Sequence, residues 1–328
     1  MARLLLALTL MGSQTLVNAV AQVENRTLDE IHKAALAEGG MTLNLTVDLS
    51  KYHDTRVNEQ IAANDVYVDS IIIQTLHNFP RWASEDALLE YAPLGFDKIH
   101  PEFKSNETAT YYGLLILAWA GMWNSQKLPG IEAPVEWEDW LRPEFKDKLV
   151  LTYPNDDDAV LFAFALIEEQ YGASWLDKLI AQNPRWVRGT GTPLTLMAGN
   201  GTQSAATFTS VGEFDPAAPL NVSHPVEGQF VSWPQTGAIL KDSPHPEGAK
   251  LLHSYMLSNE YETIRGGWGV RSDSPQPAGF PQILDMPGTD PTAFGKWMAD
   301  RAEVERQRVY YEMRLGVPVG LSPLVDDI

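Results

Sequence analysis

The chain has 328 residues, 44% of them hydrophobic, no Cys, and a formal net charge of −19. That length allows two domains around ordinary cores, and without thiols there are no disulfides, thiolate metal sites or cysteine nucleophiles. The negative surface argues against nucleic acid or anionic lipid as partners and is compatible with a cationic ligand without demanding one.

Residues 1–21 read as a secretory signal: Arg3, an apolar run from Leu4 to Met11, then Ala19-Val20-Ala21 as a small-x-small cleavage site. No later run is long and apolar enough to span a bilayer, Leu114 to Met122 being too short, so a soluble product without membrane insertion is expected. Five N-x-[ST] sequons follow, at Asn25, Asn44, Asn106, Asn200 and Asn221. Behind a signal peptide they favour a eukaryotic secretory route and an extracellular glycoprotein.

Thr27-Leu28-Asp29-Glu30 is a capping box, opening a helix with Leu28, Ile31 and Ala35 on one face that Gly39-Gly40 ends. Met41 to Val47 alternates strictly and predicts a strand with one wet face. Val68 to Thr75 carries Ile71-Ile72-Ile73, as a parallel strand covered on both faces would. Gln74 and Thr75 at its end either open into a cleft, where ligands sit in open α/β sheets, or are a plain polar strand end. A helix through Ala83 to Tyr91 is expected next, and Tyr111 to Met122 is a further apolar stretch ended by Asn124.

Lys148 to Tyr153 predicts a strand, followed by Pro154-Asn155-Asp156-Asp157-Asp158 and an apolar helix from Ala159 to Gln170. The contiguous acids lack the spacing, turn glycine and terminal Glu of a calcium loop; helix capping is the plainer reading. Trp175 to Gln182 predicts another helix and Trp186 to Arg188 a short strand. Gly189-Thr190-Gly191-Thr192-Pro193 then leads into a helix with Thr192 as candidate cap and Pro193 at its first position. Free N–H groups there could hold an anion or a carbonyl, although the Lys-Ser/Thr of a P-loop and the third Gly of a dinucleotide motif are missing. A strand over Ser204 to Thr209, a helix over Asn259 to Gly267 and a single helix from Pro291 to about Leu315, with Trp297, Val304 and Tyr311 seven apart, complete the pattern. Tyr310-Tyr311 reads as a packing face.

Thr236 to Ser258 reads as a strand through Ala238-Ile239-Leu240, a turn at Lys241-Asp242-Ser243, and a helix opened by His245-Pro246-Glu247. Its pattern Gly-Ala-Ile-Leu-Lys-x-Ser-Pro-His-Pro-Glu-Gly-Ala-Lys-Leu, followed by Leu257-Ser258-Asn259-Glu260, resembles the return segment of type II solute-binding proteins. The likeness is to the ferric-iron and thiamine branch of the receptors that serve ABC importers, here as a secreted, fungal-like member, and extends from about Leu28 to Arg271.

The resemblance implies an α/β fold of two lobes, each a mostly parallel sheet flanked by helices, closing on a ligand about crossing strands. Lobe I would comprise residues 22–115 and 232–275, and lobe II residues 116–231 and 276–328. Tyr111 to Met122 and Gln229 to Trp233 would be the hinge crossings. Asn155, Asp156 and Asp157 would then wall the cleft at a helix start where relatives bind ligand, with Thr190, Gly191 and Thr192 beside them. Trp233 would line the cleft as a lid over an organic or cationic ligand, or be an ordinary core residue.

Two departures stand out. Iron-binding relatives place a tyrosine pair where Phe208-Thr209-Ser210 stand here, which leaves Thr209 as the polar group at that strand and makes ferric iron in the usual geometry improbable. A βα unit of roughly 25–30 residues also looks missing between Gly40 and Met41, so that lobe I would lack its middle strand.

The expected function is capture of a small polar or cationic solute by a monomer, without cofactor or catalysis, and with an ABC importer only if the host has one. The location would be extracellular, or periplasmic in a bacterium. A secreted enzyme or an interaction protein on the same scaffold is the alternative. Thiamine-degrading relatives use a cysteine this chain lacks, and no G-x-S-x-G or H-E-x-x-H occurs.

Overall fold

The computed structural model describes residues 21–39, 43–212 and 219–320, so nearly all of the expected signal at residues 1–21 lies outside it. The leading helix α1 (Leu28–Glu38) forms as its capping box dictates: Thr27 Oγ1 accepts from Glu30 N, and the Glu30 carboxylate accepts from Thr27 N at 2.7 Å. Ile31 and Ala35 bury against the return helix. Removing the cap by Thr27→Ala is expected to cost about 0.5–2 kcal/mol, measured by urea denaturation.

Of the predicted strand at Met41–Val47, Met41 and Thr42 lie outside the described residues, and Leu43–Val47 is irregular chain rather than a strand, with Leu43, Leu45 and Val47 largely exposed. Alternation alone cannot make a strand when no neighbouring strand accepts its hydrogen bonds. Helix α2 (Ser50–Ala63) follows, buries Val57 and ends at Asn64 in the left-handed conformation.

The central sheet has five strands, β1 (Ser70–Ile73), β2 (Tyr112–Asn124), β5 (Ala206–Val211), β6 (Leu220–Ser223) and β7 (Ser232–Ile239), between the two-stranded β3 (Val150–Thr152) and β4 (Arg185–Val187) in chain order. Its path is β1-β7-β2-β5, with β6 also on β2, and all these pairings are antiparallel. The apolar run Ile71–Ile73 is thus antiparallel to β7 and, among the described residues, at the sheet edge, not a parallel strand covered on both faces, and only Ile71 and Ile73 are buried. The parallel pair is β3 with β4.

Strand β2 organises the molecule. Its first half, Tyr112 to Ala118, pairs with β7; its second half, from Trp119, pairs with β5 and β6. One strand therefore joins the β1-β7 end of the sheet to the β5 and β6 end. Gly121 in its second half admits the Trp140 indole, whose Cζ2 would stand 2.3 Å from an added Cβ.

Helix α3 (Asn78–Ser84) begins earlier than predicted and stops where the helix was expected to start. Phe79 and Trp82 decide this, because they fill the small core with Val57, Ile71, Ile73 and Leu240, and Asp86 ends the turn at φ 59°. Helices α4 (Asp158–Tyr171), α5 (Ser174–Ala181) and α6 (Thr192–Ala198) cover the other end, and α7 (Pro246–Met256) and α8 (Asn259–Arg265) form the return.

The single C-terminal helix of the sequence reading is two, α9 (Ala293–Ala299) and α10 (Arg301–Leu315). Asp300 breaks the run by accepting from Glu303 N at 3.0 Å as the cap of α10. Trp297, Val304 and Tyr311 still pack on the large core.

A polar strut joins α7, β2 and β1. His253 of α7, fully buried, meets Tyr112 Oη through Nδ1 at 2.8 Å and Ser70 Oγ through Nε2 at 2.7 Å. All five sequon asparagines are exposed.

Candidate functional site

The carboxyl end of β1 and the start of α2 face the amino-terminal end of α4. Gln74 Nε2 donates to Asp157 Oδ2 at 2.6 Å, and Lys51 Nζ reaches Asp156 Oδ1 at 2.6 Å. On the far side Arg188, just after β4, donates to Asp156 Oδ2 at 2.9 Å and to Tyr52 Oη at 3.1 Å. Asp158 is held by Arg308 Nη2 at 2.5 Å, with Arg301 at 3.8 Å. Leu49, Ser50 and Thr75 complete the walls.

Asp157 has two tasks. Its Oδ1 accepts from Ala159 N at 2.9 Å and Val160 N at 3.0 Å, capping α4, while its Oδ2 takes the Gln74 bond across the cleft. Burial pushes its pKa up to about 6 against those bonds, with Asp158 adding to the rise. Asp156 is buried too, yet its bonds to Arg188 and Lys51 outweigh the desolvation and hold its pKa below the usual carboxylate value.

The space left is small. About 20 Å³ remains among these side chains, roughly enough for one water. The space is closed by the Lys51–Asp156 ion pair and the Gln74–Asp157 hydrogen bond.

The structure gathers Gln74, Thr75, Asp156 and Asp157 at this point. Asn155 turns away, donating to Gly316 O at 3.0 Å at the end of α10. Thr190 and Gly191 sit on the loop behind Arg188, where Ser210 Oγ donates to Thr190 O at 2.5 Å. Thr192 is not the cap of α6 but its first residue, and Oγ1 donates to Arg188 O at 3.1 Å. The loop's visible part in the cleft is thus the Arg188 side chain that it steadies.

Thr209 and Trp233 lie in the interior. Thr209 is fully buried and its Oγ1 accepts from Thr152 N at 2.9 Å, tying β5 to β3. Trp233 is 1% exposed, with its ring 4.9 Å from Trp119 and 5.5 Å from Phe294. Trp233 is packed as a core residue, because its place on β7 sets the ring between Trp119 of β2 and Phe294 of α9.

Sequence reasoning missed Ser50, Lys51, Tyr52, Arg188 and Arg308. Arg188 adjoined a loop already singled out. Lys51 and Tyr52 belong to a helix with a weak apolar stripe, and Arg308 sits far off in sequence on an ordinary charged helix.

Antiparallel hinge strands shared by two α/β ends, with facing polar groups between them, define a two-lobed protein of the periplasmic binding type. The description "Bacterial extracellular solute-binding protein" belongs to the family model that matches residues 71–267, and the chain belongs to that family. Solved structures agree on the fold. The periplasmic binding protein AfuA from Actinobacillus pleuropneumoniae, with exogenous fructose-6-phosphate bound, is 17% identical with a TM-score of 0.64, over 90% of this chain and 97% of that one. Iron-bound HitA from Pseudomonas aeruginosa is 18% identical at 0.56, over 88% and 94%. The ferric binding protein from Campylobacter jejuni is 14% identical at 0.59, over 89% and 97%. No curated protein matches the chain. Among the described residues no helix is long and apolar enough to cross a membrane.

Proposed function

We propose that this chain is an extracellular receptor that captures a small polar solute between two lobes, residues 22–115 with 232–275 and residues 116–231 with 276–328, and makes or breaks no bond. The observation that carries the reading is the pair of bridges across the cleft, Gln74 to Asp157 and Lys51 to Asp156. Both ends of each bridge are groups that a polar solute can satisfy equally well, so exchange of internal bonds for solute bonds would set the hinge. Five exposed sequon sites suit a glycosylated secreted product. Delivery to an importer would follow only in a host that has one.

A second reading is favoured by one group of observations. Leu43, Leu45 and Val47 are exposed on an irregular segment, β1 is a sheet edge, and the family match begins only at Ile71. A βα unit lost after Gly40 accounts for all three, and a lobe so shortened would serve as an interaction protein that no longer holds solute.

Thermal unfolding of the secreted protein against cations, thiamine-like compounds, polyamines, sugars and phosphates separates the two. A true solute at 100 times its Kd adds about 2.7 kcal/mol, and Asp156→Asn, which frees Lys51 and Arg188, is expected to abolish that shift. A midpoint that no compound moves would favour the shortened-lobe reading.

A further inference from the structure

On the two-lobed receptor reading, Lys51, Tyr52 and Gln74 stand on one wall of the cleft and Asp156, Asp157 and Arg188 on the other. Three contacts cross between the walls: Lys51 Nζ to Asp156 Oδ1 at 2.6 Å, Gln74 Nε2 to Asp157 Oδ2 at 2.6 Å, and Arg188 Nη2 to Tyr52 Oη at 3.1 Å. When the walls separate, all three part together.

Most charges around the cleft keep an opposite charge on their own side. Asp156 keeps Arg188, whose Nε donates to Oδ2 at 2.9 Å and whose Nη2 donates to Oδ1 at 3.4 Å. Asp158 and Glu305 share Arg301 and Arg308 at 2.5 to 3.8 Å, two carboxylates against two guanidiniums. On the opposite wall Arg56 holds Asp48 at 2.7 Å and Arg81 meets Asp54 at 3.9 Å. Two charges remain. The Lys51 ammonium pairs only across the cleft, with Asp156. The Asp157 carboxylate meets only neutral donors: Ala159 N and Val160 N stay on Oδ1, and Oδ2 loses its donor when Gln74 leaves. Its pKa, pushed up by burial to about 6, fits a carboxylate that lacks a cation.

We infer, on the basis of that receptor reading, that the cleft takes a short zwitterion of the amino-acid class, its carboxylate on Lys51 and its ammonium on Asp157. A simple anion would satisfy Lys51 and leave Asp157 unmatched, and a simple cation would do the reverse. A charge enclosed without its opposite is costly, so a solute of both signs is the one that leaves neither wall with such a charge. Lys51 can meet the carboxylate at the cleft mouth, because its side chain is 43% exposed even with the contacts made. Arg188 Nη2, released from Tyr52, is a second donor on the facing wall. The ammonium gives Asp157 Oδ2 the donor that Gln74 withdraws, and Asp156 keeps Arg188 throughout.

The probes are glycine, 3-aminopropanoate and 4-aminobutanoate, titrated calorimetrically into the intact secreted protein beside butylamine and butanoate, which carry one charge each. One zwitterion of the series is expected to bind one to one and at least tenfold more tightly than either single-charge compound. Lys51→Gln is expected to weaken it at least tenfold and to leave butylamine as it was. Asp157→Asn keeps an Oδ1 acceptor for the α4 cap, and is expected to weaken the zwitterion at least tenfold and to leave butanoate as it was. A cooperative urea transition in each variant shows that it is folded. The inference is overturned if a single-charge compound binds as tightly as every zwitterion, or if both variants hold the zwitterion as the parent does. It is also overturned if no zwitterion binds while a sugar, a phosphate or a polyamine does, and that result leaves the receptor reading standing. A protein that none of these compounds touches overturns both.

Discussion

Between about pH 6.5 and pH 4.5 the folded protein is expected to lose roughly 2 kcal/mol of stability for every pH unit, because buried histidines stay neutral where those of the unfolded chain become charged. Burial lowers the pKa of His253 to about 3 and that of His224 to about 4, from an ordinary 6.5. His77 is lowered to about 4 as well, by burial first and then by the nearby Arg301. Below pH 6.5 the unfolded state takes up protons that the folded state refuses, so stability falls as the pH falls. Asp157 works in the opposite direction. Its folded pKa, pushed up by burial to about 6 from 3.8, lets the native state take a proton first and offsets about one histidine, each group being worth about 1.4 kcal/mol per pH unit. Urea denaturation at several pH values measures the slope. His224→Phe sharpens the test: the imidazole has neither nitrogen bonded and lies among Phe230, Trp268 and Phe280, so a phenyl ring fits. The variant is expected to be more stable and to show a slope shallower by about 1.4 kcal/mol per pH unit. An unchanged slope would mean that His224 is charged in the native state.

Trp233→Ala is expected to cost about 3–5 kcal/mol, the range for emptying a buried aromatic site. Its ring separates Trp119 of β2 from Phe294 of α9, and its Nε1 donates to Gln235 Oε1 at 2.9 Å. The cavity would open where the two hinge strands pair, and neither strand can collapse into it while both remain in the sheet. Trp233→Phe is expected to cost less than half as much and to leave any solute-induced shift intact. A small stability loss in the Ala variant, together with a lost solute response, would instead place Trp233 in the cleft as a lid.

Much of the framework was legible from short-range chemistry. The capping box of α1, the acids ahead of α4, and the proline that opens α7 each act within four residues, so their meaning travels with the sequence. The return segment carried the family resemblance for the same reason: a strand, a turn and a helix are specified by consecutive residues. Gln74 and Asp157 were readable as polar ends of a strand and a helix, although not as partners.

Pairing across the chain was not legible. The alternation of Met41–Val47 and the isoleucine run of β1 state that these segments are extended, but whether a strand is central, at an edge or unpaired depends on neighbours remote in sequence. Leu43–Val47 finds none among the described residues, and β1 finds only β7. Trp233 shows the same limit at one side chain, since its β7 position was known and only the sheet's packing on α9 turned it inward.

By itself the sequence determined the starts of α1, α4 and α7, the thiol-free chemistry and the likeness of its return segment to a recognisable pattern, because each rests on residue type or local hydrogen bonding. Tertiary structure alone decided which charges meet. Lys51, Arg188 and Arg308 come from three elements to bind Asp156 and Asp158, and Coulomb attraction depends on distance in space, which residue order does not state.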